Sequence, residues 1–212
     1  MSELQTKLLT NTWVDFTWSD FIQLQKNPEY EKAKCYYHNR QLRIEMPPVG
    51  SDHSRDNGIV VILVNQFAIA KSIPLNLLIN CSYQKLGEKE VQPDISYYLG
   101  ERANLAPTGS SVANLNNIAI PDLAIEIADS SLADDLGQKR LIYEDLAIPE
   151  YWVVDVIKAR ITAFKIVPNG GSQRISESLV LPGLNFALLE EGLQRSRQTN
   201  HTFVAAWFLT CI

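Results

Sequence analysis

Two stretches of this chain carry carboxylates that could share one cation. In Gln92-Pro93-Asp94-Ile95-Ser96-Tyr97-Tyr98-Leu99, strand alternation sets Asp94, Ser96 and Tyr98 on one side and Ile95, Tyr97 and Leu99 on the other. In Ile120-Pro-Asp-Leu-Ala-Ile-Glu-Ile-Ala128, the residues Asp122, Ala124, Glu126 and Ala128 share a face, while Leu123, Ile125 and Ile127 line the opposite one. Alanines between two acids suit a face against which a ligand or a helix packs, rather than a solvated one. If the two strands pair antiparallel, the start of the first meets the end of the second, and Asp94 lies beside Glu126. Asp122 stands roughly 13 Å from Glu126 along its own strand, at about 3.3 Å per residue, too far to share an ion directly. Asp94 with Glu126 makes a hard-oxygen site suited to Mg²⁺ or Mn²⁺. An ion held there can orient and polarise a phosphodiester and lower the pKa of an attacking water. A cation beside that water would help, and Lys139 is the candidate. Leu132, Leu136, Lys139, Tyr143 and Leu146 recur at helical steps, which puts Lys139 within or beside the stripe facing the sheet. Arg140, near the opposite edge of the same stripe, is the alternative.

The elements that must position these groups are legible from periodicity. Thr17-Trp18-Ser19-Asp20 opens a short helix to about Lys26. Lys34–His38 and Gln41–Met46 form a hairpin across Asn39-Arg40, with Leu42, Ile44 and Met46 facing one way and Arg43 and Glu45 the other. A long, largely buried helix runs from Ser51 or Asp52 to about Lys71. Strands are predicted over Leu75–Tyr83, Glu90–Leu99 and Ile118–Ala128, then a helix over Leu132–Ala147 and a buried strand over Tyr151–Val156. Ile161–Val167 and Ser178–Leu181 are predicted as a further hairpin, and Thr199–Leu209 as a last amphipathic helix. Helix, strand, strand, strand, helix, strand gives an α/β (α+β) domain: a mixed sheet made of a three-strand meander, a crossover helix and a fourth strand.

Composition sets limits on function. The chain has 212 residues and a formal net charge of −5, so nonspecific coating of nucleic acid through clustered Lys and Arg is disfavoured. A metal-dependent nuclease is not, because bound Mg²⁺ offsets the carboxylates. Cys35, Cys81 and Cys211 match no zinc or redox spacing and read as reduced thiols. Met1–Leu9 lacks the basic start and apolar run of a signal peptide, and neither Ile59–Val64 nor Phe203–Ile212 reaches the roughly 20 residues of a membrane span. A cytoplasmic protein with no membrane partner is expected.

The element order, the Pro93-Asp94 dipeptide and the acid of Glu126 resemble the PD-(D/E)xK nuclease core. The block running from Ile120 to Ser131, then Asp135-Leu-Gly-Gln-Lys-Arg, Tyr143 and Ile148-Pro-Glu-Tyr-Trp-Val-Val-Asp155, is similar to the Uma-type restriction-endonuclease family, and the likeness extends from about Trp18 to Leu188. The resemblance implies a restriction-endonuclease-like core with an N-terminal hairpin: one domain over residues 1–190, followed by a helical extension over 191–212. It implies a metal-dependent endonuclease acting on DNA, with Asp94 and Glu126 holding Mg²⁺ or Mn²⁺. The superfamily carries a lysine two residues after the acid, and here that position is Ala128. Lys139, on the following helix, would stand in for it. Glu45 and His53 match family positions near the site, while Asp122, after Pro121, is either a turn residue at a strand entry or an auxiliary acid of the site. Two cuts on a duplex favour a homodimer. The acidic charge and the missing lysine leave a second reading: a nuclease-like fold that binds a protein or nucleic-acid partner without cutting it. A small phosphate-ester hydrolase is the weaker third, for want of a Gly-rich phosphate cradle.

Overall fold

The computed structural model of the chain describes residues 9–168 and 170–212. Residues 1–8, part of the stretch read for a signal peptide, and Asn169 of the Pro168–Gly171 turn lie outside the described residues. The first half consists of β1 (Trp13–Asp15), α1 (Trp18–Leu24), the hairpin β2 (Lys34–His38) and β3 (Gln41–Glu45), α2 (Ser51–Ala70), β4 (Leu75–Ile79), β5 (Tyr83–Lys85), β6 (Lys89–Val91) and β7 (Ile95–Leu99). There follow β8 (Ala113–Asn114), β9 (Leu123–Ala128), α3 (Leu132–Leu136), α4 (Gln138–Asp145), β10 (Glu150–Asp155), β11 (Arg160–Ile166), β12 (Ser172–Ile175), α5 (Phe186–Ser196) and α6 (His201–Leu209).

Two of the predicted strands are each two strands. The chain bends at Asn80, whose φ of 51° is left-handed backbone that asparagine tolerates. It bends again at Gln92-Pro93, where proline has no N–H to give a ladder. The Asn80 N–H donates to the Asp94 carbonyl at 3.0 Å and fastens one bend to the other. Beyond the bends the chain changes sheets. β4 and β7 belong to the sheet β12-β11-β10-β9-β7-β4, whereas β5 and β6 join β1-β3-β2-β6-β5-β8. Asp94 therefore stands where the chain passes from one sheet to the other.

In the first of these sheets β4, β7 and β9 form the antiparallel meander, and β10 returns parallel to β9. The crossover is two helices rather than one. It breaks at Gly137, where a β-carbon would come 2.8 Å from the Ala133 carbonyl oxygen. Ser178–Leu181 is not the second arm of the late hairpin; β12 pairs with β11 directly after the turn. The Leu179 and Val180 N–H groups donate instead to the buried Glu150 carboxylate, at 2.8 and 3.3 Å.

Against one face of this sheet α2, α5 and α6 bury Ile95, Tyr97, Ile125, Ile127, Trp152 and Val154, each contributing about 1.5–3 kcal/mol. Helix α5 runs through position 190, and Leu193, Val204 and Phe208 belong to the same core. Against the other face the small Ala124 and Ala128 make room for Tyr36, Tyr83, Tyr98, Tyr143 and Tyr151. Helix α1, capped by Thr17, packs Phe21 on Tyr37, Leu42 and Ile44 of the hairpin. Among the described residues no helix is long and apolar enough to cross a membrane.

Candidate active site

Ile95 pairs with Ile125 across β7 and β9, so the next step of that antiparallel register sets Asp94 opposite Glu126. Both acids line a cleft of about 680 Å³ between the two sheets and the start of α2. Each has one oxygen fixed by the protein. Asp94 Oδ2 accepts the Ile127 N–H at 2.7 Å. Glu126 Oε1 accepts the hydroxyls of Tyr36 at 2.9 Å and Tyr143 at 2.7 Å. The other two oxygens face one ammonium, that of Lys34, which lies 2.7 Å from Asp94 Oδ1 and 3.5 Å from Glu126 Oε2. His53 Nε2 stands 3.4 Å from the same Asp94 oxygen.

The electrostatics follow from burial and pairing. Burial pushes Asp94 upward, but Lys34 and His53 more than offset it and hold the carboxyl well below the usual range. Burial raises Glu126, against the pull of Lys34 and Lys139. Burial, and then the Glu126 charge, holds the Tyr36 and Tyr143 hydroxyls far above the ordinary phenol value, so both stay protonated and remain donors. Burial works against charge on Lys34, yet Glu126 and Asp94 outweigh it and keep the ammonium above its usual pKa. His53 is likewise raised: burial opposes its charge, and the Asp94 bond and charge prevail.

Lys139 lines the same cleft, but its ammonium is bound by other acids. It lies 2.8 Å from Glu45 Oε1, 2.8 Å from Asp135 Oδ1 and 4.0 Å from the centre of the Tyr36 ring. It faces Glu126 at Coulomb range, with no hydrogen bond to it or to Asp94. Glu45 holds both Lys139 and the Arg43 guanidinium, the latter at 2.8 Å. Arg140 points away, over Phe164 and toward Ser172. Asp122 is not among the residues lining the cleft, contrary to the auxiliary place expected of it. It accepts the Leu99 N–H at 2.8 Å and the Arg102 Nε–H at 2.6 Å, and so ties the entry of β9 to the end of β7.

Among the described residues no three His, Cys, Asp or Glu side chains converge as a ready metal cluster. Asp94 Oδ1 and Glu126 Oε2 are the oxygens that could hold an ion. Two carboxylates fit Mg²⁺, which keeps several waters and takes the rest of its shell from substrate oxygens; they do not fit a structural zinc site.

A family model described as "Putative restriction endonuclease", Uma2, matches residues 18–201. The chain belongs to the Uma2 family. It is also similar in structure to a putative nuclease of DUF820 from Anabaena variabilis, with a TM-score of 0.55 and 18% identity over 84% of this chain and 99% of that one. At that identity the likeness speaks for the fold, which is restriction-endonuclease-like. No curated protein matches the chain.

Sequence reasoning missed two residues of this candidate site, Lys34 and Tyr36. Their signal lay in the hairpin. Lys34, Tyr36 and His38 alternate onto one face of β2, and the register sets Lys34 opposite Glu45 and Tyr36 opposite Arg43. The apolar residues of β2 and β3 turn toward α1, which leaves this ionic face for the cleft.

Proposed function

We propose that the protein is a metal-dependent endonuclease that hydrolyses DNA phosphodiester bonds, with Asp94 and Glu126 holding Mg²⁺ or Mn²⁺. One observation carries the reading. Two carboxylates on adjacent strands each have one oxygen fixed by protein donors and one oxygen turned to the same point in a cleft. Membership of the Uma2 family supports it. A divalent cation bound there supplies a polarised phosphoryl oxygen and an activated water. The chain's own groups do the rest. Ile127 N–H, Tyr36 and Tyr143 fix the carboxylates so that neither rotates when substrate arrives. Lys139 adds positive field beside Glu126, and Glu45 holds that lysine in place. His53, at the cleft wall 3.4 Å from Asp94 Oδ1, would touch substrate or its water. Cutting both strands of a duplex takes two such sites, and a homodimer would supply them.

The test is cleavage of single- and double-stranded DNA by purified protein in Mg²⁺ or Mn²⁺, with EDTA and the variants Asp94→Ala and Glu126→Ala. Cleavage that needs the metal and falls at least a hundredfold in each variant is expected. Wild-type protein that binds metal yet cuts no DNA of a broad panel would turn the reading into that of a binding module built on the nuclease fold.

A further inference from the structure

Lys34 occupies the point that the two free carboxylate oxygens share. Its ammonium lies 2.7 Å from Asp94 Oδ1 and 3.5 Å from Glu126 Oε2, the same two oxygens assigned above to a divalent cation. A lysine ammonium and a divalent ion cannot both stand there, because each would repel the other across a few ångströms. His53 reaches only Asp94 Oδ1, at 3.4 Å, and the other buried lysine of the cleft is held by different acids. Lys139 is clasped by Glu45, Asp135 and the Tyr36 ring and is 1% exposed. Lys34 is different: its side chain is 18% exposed, its carboxylate partners among the described residues are Asp94 and Glu126, and its distance to the Tyr36 ring is a loose 5.9 Å. Its four-carbon stem can swing the charge several ångströms without moving β2.

We propose that Lys34 is a built-in counter-ion for the metal-free site. Its ammonium keeps Asp94 and Glu126 aligned until a divalent cation enters between Asp94 Oδ1 and Glu126 Oε2. The cation displaces it into the cleft, where it meets a non-bridging oxygen of the substrate phosphate. The exchange has a physical logic. Two buried carboxylates with no cation between them would repel, and the bridging ammonium opposes that. The displaced charge then arrives where the phosphodiester needs it. This assignment rests on the metal-dependent reading of the site.

The experiment is calorimetric titration of the full chain with Mn²⁺ and with Ca²⁺, without nucleic acid, for wild type, Lys34→Met and Asp94→Asn. Removing the competing ammonium should make Lys34→Met bind Mn²⁺ at least tenfold tighter than wild type. The same variant should cut DNA at least a hundredfold more slowly with saturating metal. In wild-type protein, the nuclear-magnetic-resonance signals of the Lys34 side chain should shift on saturation with Ca²⁺, a readout that does not depend on the variant folding. A Lys34→Met protein that binds metal no tighter, or binds tighter yet cuts at the wild-type rate, overturns the proposal, as does a Lys34 signal indifferent to Ca²⁺. Metal binding that is lost in Asp94→Asn but unchanged in Lys34→Met would sink this proposal alone. Absence of metal binding in all three proteins would sink the metal-dependent reading beneath it.

Discussion

Replacing Lys139 by Met should cost the fold before it costs chemistry. The ammonium is 1% exposed and is bound at 2.8 Å by Glu45 and at 2.8 Å by Asp135, whose side chain is also 1% exposed. Glu126, 1% exposed, adds to its field. Met fills most of the volume but leaves three acids without their shared cation. Breaking one side of a buried ion pair costs about 3–5 kcal/mol. Glu45 is 19% exposed and recovers some hydration. A loss of about 3–4 kcal/mol is therefore expected, a large part of the roughly 5–15 kcal/mol that holds a domain folded. The sign of its pH dependence follows from the acids. Burial already raises Asp135 and Glu126, and losing Lys139 raises them further. A carboxyl with a raised folded pKa binds more protons folded than unfolded, so the variant's deficit grows as pH rises above about 4–5 and shrinks below it. Urea unfolding followed by tryptophan fluorescence at pH 4.5 and 7.5, in EDTA, measures this. Adding Asp135→Asn to Lys139→Met should restore part of the loss, since it removes one orphaned charge. A Lys139→Met protein within 1 kcal/mol of wild type at pH 7.5, or a deficit independent of pH, would refute the reasoning.

Two further outcomes are expected. Burial pushes Glu90 up from 4.5 to about 7, against hydrogen bonds from Gln84 and Gln25, so the wild type loses stability as pH rises through that window. At about 1.4 kcal/mol per pH unit, the stability of Glu90→Gln relative to wild type should climb by about 3 kcal/mol between pH 4 and pH 8 in urea melts, and a flat difference would contradict it. Asp122→Ala should cost about 2 kcal/mol by orphaning the Leu99 N–H, with a small further loss from the half-exposed Arg102, and should leave metal affinity unchanged. A tenfold change in metal affinity would return Asp122 to the site.

The adjacency of Asp94 and Glu126, the centre of the candidate site, was legible because strand alternation is a strict rule. The alternation put Asp94 and Glu126 on one face, and an antiparallel pairing could bring them side by side in only one way. Alanines at 124 and 128 signalled close packing, and five tyrosines pack there. Sheet membership was hidden. The apolar runs 75–83 and 90–99 read as unbroken strands, because a bend at an asparagine or before a proline leaves the alternation of each half intact. That bend is what brings the hairpin over the carboxylates. Without it Lys34, 60 residues from Asp94 in sequence, had no reason to join the site. Lys139 was found by its place on the helical stripe, but periodicity cannot reveal which acids reach a lysine from other elements. Glu45 and Asp135 decide that.

Diffraction from crystals soaked in Mn²⁺, recorded with and without EDTA treatment, tests the central claim most directly. The account predicts one anomalous peak within coordination distance of both Asp94 Oδ1 and Glu126 Oε2. The Tyr36 and Tyr143 hydroxyls should still be bound to Glu126 Oε1, with the Lys34 ammonium moved out into the cleft. Lys34 still bridging the two carboxylates, with Mn²⁺ absent or bound elsewhere on the protein, would contradict it.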